Sequence, residues 1–424
     1  MTELSSIPHG GCDPEPTGRP PITPARQSSL REHNLGLVLD QIVNTTTPPS
    51  RADIAGTTGL TRATVSSLVD RLLAGRLIAE LAPVVLPRAG RPAVPLVPAP
   101  RGLMAVGLEV NVDYLGARAV DLTGATLAEQ VVSGDFRHTD PQPVLAMLAE
   151  LFTDTLGPLI LQGIPLAGCY VALPGLVDRR TGPLRLAPNL GWQGVDVVGL
   201  LAAAIGMPDL RISLANEATL AARAEAEALR PSGVHSFFYV SGEIGIGGAI
   251  VTDGLVTPGR HGWSGEIGHT LIDPSGPRCG CGAFGCLEQY AGKDAMMRAA
   301  GLQLELPIQA LLDIADKPVT ATAFDYAGRA LGTALANAVN LIDIDTVVLG
   351  GIYTPLARYL IPGITEQIAT RVLFHPWSPV TVQPAQALDY AALSGGARTV
   401  LGEIVLDPNS WTRRMFGEQQ PAFS

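Results

Sequence analysis

The stretch HTLIDPSGPRCGCGAFGCLE, residues 269–288, places Cys279, Cys281 and Cys286 within eight positions, while the rest of the chain carries only Cys12 and Cys169. Three thiols and an imidazole are a donor set suited to tetrahedral Zn²⁺. Four protein ligands leave no coordination position for water, so His269, Cys279, Cys281 and Cys286, spaced H-x9-C-x-C-x4-C, read as a structural zinc site. Gly280, Gly282 and Gly285 allow the backbone to wrap tightly around one ion. The alternative, reduced cysteines buried as small hydrophobes, fits a glycine-rich turn poorly. Cys169 lies in an apolar run and Cys12 in a Pro-rich one, and neither reads as a ligand.

Composition sets the outer bounds. A chain of 424 residues, 46% hydrophobic and 16% charged, is globular and long enough for two or three domains. The net charge of −10 argues against a protein that coats nucleic acid generally. That average hides an asymmetry: residues 26–92 hold eight Arg against five Asp or Glu, a surplus of three. A small basic head on a large acidic body implies different partners at the two ends. No secretory signal follows Met1, and no uninterrupted apolar run approaches the ~18 residues of a bilayer span. The expected location is the cytoplasm, without membrane association, where clustered cysteines hold metal more often than they form disulfides.

Organisation along the chain falls into blocks. Residues 1–27 are rich in Pro, Ser and Gly and read as a disordered tail. Residues 28–98 read as a helical head closed by a Pro-rich hairpin, residues 103–405 as an α/β body, and 406–424 as a C-terminal tail. In the body, strand-like runs such as LMAVGLEV, LAGCYVALPG, HSFFYVSG and TVVLGG alternate with helical runs such as VLAMLAELFTDTL.

In the head, Leu35, Val38, Leu39 and Ile42 recur at helical spacing. Two short helices then flank the turn TTGLT, with Ser50 and Thr61 placed to cap them, in the proportions of a helix-turn-helix. Val65, Leu68, Val69 and Leu72 of the second helix face inward. Ala63, Ser66, Ser67 and Asp70 therefore face outward, flanked by Arg62 and Arg71. This small polar face suits a major groove, and Arg91 of RAGRPAVPL suits the tip of a wing entering a minor groove. Read by periodicity alone, the head could equally be a three-helix packing module with solvated arginines.

The segment SGEIGHTLIDPSGPRCGCGAFGCLE resembles the signature of the ROK family, which joins bacterial sugar repressors and sugar kinases. ALPGLVD, APNLGW, ANEATLAA, GIGGAIV and VVLGG follow in that family's order, and the head is similar to the winged helix-turn-helix of its repressor branch. The resemblance implies an actin-like, ribonuclease-H-like two-lobed body with a sugar cleft between the lobes. It also implies that Asn189, Asn216, Glu217, Glu266, His269 and Glu288 contact the sugar. His269 would then serve both the metal and the sugar, one ring nitrogen for each.

The same resemblance exposes departures from the kinases. Where they carry D-x-G-G-T to hold ATP phosphates, this chain has Glu109, Val110, Asn111, Val112 and Asp113. Their second phosphate loop is replaced by Glu243-Ile244, and the catalytic Asp by Glu217. Added carboxylates oppose phosphate binding. The sequence is therefore read as a non-enzymatic, sugar-responsive transcriptional regulator, more a repressor than an activator, with zinc as its metal. Its expected partners are double-stranded, palindromic operator DNA and a sugar or sugar derivative. A homodimer or homotetramer is expected because a two-fold operator needs two heads. The competing reading is an active sugar kinase with an added DNA-binding head.

Overall fold

Helix α1 (Gln27–Val43) buries Leu35, Val38, Leu39 and Ile42 along one face, as their spacing requires. The computed structural model describes residues 27–83, 93–178, 183–387 and 389–416. In α2 (Arg51–Thr58), the Ser50 hydroxyl accepts from the Asp53 amide and the Asp53 carboxylate accepts from the Ser50 amide, a reciprocal capping box. Gly59, at φ 72°, ends that helix in the left-handed region, and Thr61 caps α3 (Arg62–Ala74). Val65, Leu68, Val69 and Leu72 of α3 are buried. Strands β1 (Ile78–Glu80) and β2 (Leu96–Pro98) pair antiparallel beside the helices. The segment between them that carries Arg91 lies outside the described residues.

The body contains two five-stranded sheets of one topology. The first lobe is built from β3 (Met104–Val110), β4 (Tyr114–Asp121), β5 (Thr126–Ser133), α4 (Pro141–Leu161) and β6 (Leu166–Leu173). A small sheet of β7 (Leu176–Val177), β8 (Leu184–Ala187) and β9 (Trp192–Val195) follows, then α5 (Val197–Ile205), β10 (Ile212–Asn216) and α6 (Glu217–Leu229). The second lobe has β11 (Phe237–Gly242), β12 (Ile246–Thr252), β13 (Leu255–Thr257), α7 (Glu288–Ala291), α8 (Lys293–Ala299), α9 (Gln309–Leu312) and α10 (Pro318–Ile342). It continues through β14 (Thr346–Gly351), α11 (Tyr353–Arg371) and β15 (Thr381–Pro384). The sheet orders are β5-β4-β3-β6-β10 and β13-β12-β11-β14-β15. Each is an antiparallel meander extended by two parallel strands, so the lobes repeat one another. All seven residues of β3 are buried, as expected for a strand covered on both faces.

Helix α4 is long and apolar enough to cross a membrane by composition. Its Leu145, Leu148, Phe152 and Leu156 are buried in the core of the first lobe. Helix α12 (Ala391–Leu406) returns from the second lobe and packs with α6 between the two sheets. Its approach to β3 depends on Gly107, where an added Cβ would stand 1.8 Å from the Leu393 carbonyl oxygen.

Two expectations change here. Residues 408–416, expected as part of a C-terminal tail, form α13 (Pro408–Phe416), and this helix clamps the head. Trp411 is 3% exposed and donates its indole N–H to the Gly75 carbonyl at 3.1 Å. Asn409 and Arg413 both donate to Glu32 of α1 at 2.8 Å, and Arg414 donates to the Ala167 carbonyl of β6 at 2.9 Å. The polar, basic composition of this segment conceals a single buried indole that anchors it. Second, the head and the body, read as separate blocks, are packed against one another. Leu35, Val65 and Leu72 share one apolar core with Leu103, Val120, Ala397 and Leu401 of the body.

Candidate functional site

A cavity of about 240 Å³ opens between the lobes. It gathers Asn189, Asn216, Glu217, Glu266, His269 and Glu288, six residues drawn from four segments of the chain. Strand β10 delivers Asn216 to its end, and Glu217 opens α6. The tight turn between β11 and β12, in which the Glu243 amide donates to the Gly245 carbonyl at 2.8 Å, brings Glu243 and Gly245 to the opposite wall.

The Asn216 side chain is largely committed to the fold. Its Oδ1 accepts from the Ala218 and Thr219 amides and its Nδ2 donates to the Gly175 carbonyl. It is the N-cap of α6 and thereby places Glu217. Glu217 keeps a buried carboxylate oxygen, Oε2, without a hydrogen-bond partner. Burial, reinforced by Glu109, Glu243 and Glu266, raises its pKa well above the usual carboxylate range. Burial likewise pushes Glu243 up to about 8, with Glu109 and Asp113 adding to the rise and Lys293 opposing it. Glu109 rises to about 7 through burial, although the Tyr114 hydroxyl donates to it at 2.7 Å.

Sequence reasoning placed Glu243 in the second phosphate loop and did not single out Gly245 or Lys293 as cleft groups. The Lys293 ammonium is buried and sits 2.9 Å from Asp113, so the ion pair spans the lobes at the turn between β3 and β4. The chain's two-lysine composition was the available signal for it. At Gly245 an added Cβ would lie 2.8 Å from Glu288 Oε2 and 3.0 Å from Asn189 Nδ2. Gly245→Ala is therefore expected to weaken sugar binding by about a hundredfold or more, because the methyl displaces a hydroxyl's position. Since Gly245 does not occupy the left-handed region, the melting temperature should stay near wild type. Titration calorimetry and a thermal melt on the same preparation check both halves.

The ligating atoms of His269, Cys279, Cys281 and Cys286 lie within 4.8 Å of one another. Cys281 and Cys286 have sulfurs 3.7 Å apart, and His269 Nδ1 stands 3.7 Å from the Cys279 sulfur. Zn–S bonds of about 2.3 Å imply tetrahedral edges of roughly 3.8 Å, so the donor set fits such an ion in both chemistry and spacing. Cys279 also lies 3.6 Å from Glu288 Oε1, which joins the metal cluster to the cavity wall.

On the head, Arg62 and Ser67 are exposed on α3 and Ser66 is half-buried. Arg71, expected at the DNA face, is turned away from it. Its guanidinium donates to Asn409 Oδ1 and, at 3.3 Å, to the Thr412 hydroxyl, holding α13. The buried carboxamide and hydroxyl of that helix compete successfully with solvent for the arginine. Asp70, on the outer face, pairs with Arg51 of α2 at 2.7 Å.

Comparison with known proteins agrees with this architecture. The xylose repressor of Bacillus subtilis strain 168 is 27% identical over 354 residues, which cover 82% of this chain and 89% of the repressor. A crystal structure of a ROK family transcriptional regulator, a homologue of the E. coli MLC protein, superposes with a TM-score of 0.72 at 26% identity. It covers 89% of this chain and 97% of the regulator. A ROK family glucokinase from Streptomyces griseus, solved with glucose and AMPPNP, shares the fold at a TM-score of 0.60 and 22% identity. It covers 98% of itself but only 70% of this chain. The ROK family matches residues 105–403, both sheets and the cleft between them, and the chain belongs to the ROK family.

Proposed function

We propose that this ROK protein is a sugar-responsive transcriptional repressor, with a winged helix-turn-helix head on operator DNA and a sugar in the cleft between the lobes. The observation that carries the reading is the state of the two ends of that cleft. The sugar end retains a cavity lined by Asn189, Glu217, Glu266, His269 and Glu288. The end matching the kinases' first phosphate loop is spanned by the Asp113–Lys293 ion pair, with Glu109 and Glu243 close enough to perturb its surroundings. Incoming ATP phosphates would meet the carboxyl groups of Asp113, Glu109 and Glu243 in a buried setting that disfavours further negative charge, and the one lysine there is already paired, which disfavours phosphoryl transfer.

The repressor relative extends over most of this chain and the kinase stops short of it, in keeping with a head added to a sugar-binding body. In the head, α3 is the recognition helix, with Arg62, Ser66 and Ser67 toward DNA, and Arg91, outside the described residues, is proposed as a further DNA contact. Zinc, held by His269, Cys279, Cys281 and Cys286, fixes the wall that carries Glu288. The protein works in the cytoplasm as a dimer or tetramer on a two-fold operator.

Linkage supplies the decisive experiment. If sugar weakens operator affinity by some factor, operator must weaken sugar affinity by the same factor. Titrating sugar into free and operator-bound protein should give dissociation constants that differ by about five- to a hundredfold, with no sugar-dependent ADP release from ATP in either state. Equal constants would separate the sensor from the head and sink the repressor reading. Sustained ADP release would establish the kinase instead.

A further inference from the structure

We infer, resting on the sugar-sensor reading above, that the effector is an unphosphorylated sugar, and that Glu217 and Glu243 enforce this choice. The described residues lining the cavity include four carboxylates, Glu217, Glu243, Glu266 and Glu288, and neither lysine nor arginine. A phosphate ester brings up to two negative charges and needs cations or unspent backbone amides to receive them. The amides that open α6 and the buried cation nearest the cleft are already committed here. The Ala218 and Thr219 amides at the start of α6 donate to Asn216 Oδ1. Lys293, the buried cation beside the cleft, is held on Asp113 at 2.9 Å. Protonation of Glu217 or Glu243 would supply a donor but no positive charge.

A sugar hydroxyl meets the opposite situation. Glu217 Oε2 is buried and has no hydrogen-bond partner, an acceptor waiting for a donor. A hydroxyl satisfies it, whereas a phosphate ester finds no lysine or arginine beside it among the described lining residues. Burial, with neighbouring carboxyls adding to it at Glu217 and Glu243, already disfavours negative charge on this wall, and a phosphate would bring more. Unit charges about 5 Å apart in a protein environment repel strongly enough to shift binding by about a hundredfold.

Titration calorimetry on the full-length protein tests this with matched pairs. The pairs are D-glucose, D-glucosamine, N-acetyl-D-glucosamine and D-xylose, each against its terminal phosphate ester. In the pair that binds, the free sugar should bind about a hundredfold or more tightly than its ester. Glu217→Gln and Glu243→Gln, made singly and together, replace a carboxyl that can ionise with an amide that cannot and that always offers a donor, and should narrow that gap by about tenfold or more. Thermal melts identify any variant that fails to fold, and the remaining single variant then carries the comparison. An ester that binds more tightly than its parent sugar overturns the inference while leaving the sugar-sensor reading intact. An unchanged gap in a folded variant removes the role given to that glutamate. No binding by either member of any pair overturns both the inference and the reading on which it rests.

Discussion

Cys281→Ser is expected to reduce bound zinc from about one ion per chain to a small fraction of that, and to weaken sugar binding by about a hundredfold. Cys281 is the exposed member of the cluster, so its loss opens the site to water without leaving a cavity in a packed core. Serine cannot supply a thiolate, and a three-ligand remnant binds zinc far less tightly. The effect reaches the sugar because the cluster and the cavity share a wall. His269 belongs to both, Glu288 lies against Cys279, and Glu288 follows Cys286 by two residues at the start of α7. Perturbing the groups that orient a binding side chain typically costs 10–100-fold. Elemental analysis reads the metal and calorimetry reads the sugar. Metal-free protein with full sugar affinity would show that the knuckle folds independently of the cleft.

Trp411→Ala should release the head from the body at a cost of about 3–5 kcal/mol, the usual range for truncating a buried tryptophan. The substitution also leaves the Gly75 carbonyl without its indole donor. Hydrogen exchange should then accelerate in α1 and α3, whose ends the C-terminal helix holds through Glu32 and Arg71, while the two central sheets keep their protection. Trp411→Phe, which keeps most of the packing but not the hydrogen bond, should fall between wild type and Ala. Unchanged exchange in the head would mean that the shared core around Leu35 and Leu401 docks it without help from α13.

The clustering of His269 with Cys279, Cys281 and Cys286 was legible in the sequence because these donors sit within a short span and their chemistry is rare. The helical faces of α1 and α3 were equally plain, since period 3.6 applied to Leu, Val and Ile leaves little choice. The alternation of strand and helix in the body came through for the same local reason, whereas its two-lobed architecture was inferred from resemblance. Other features depend on residues hundreds of positions apart and leave no local trace. Arg71 belongs to the C-terminal clamp because Asn409 and Thr412 fold back onto it. Asn216, read as a sugar contact, lines the cavity, but only the fold shows that its amide also caps α6. The Pro-rich sequence that closes the head gave no sign that head and body share one core. The Asp113–Lys293 pair, 180 positions apart, exists only once the lobes close. Short-range periodicity and metal chemistry are encoded within a few turns of chain; the partner that a charged side chain chooses is decided by which buried groups tertiary packing leaves beside it.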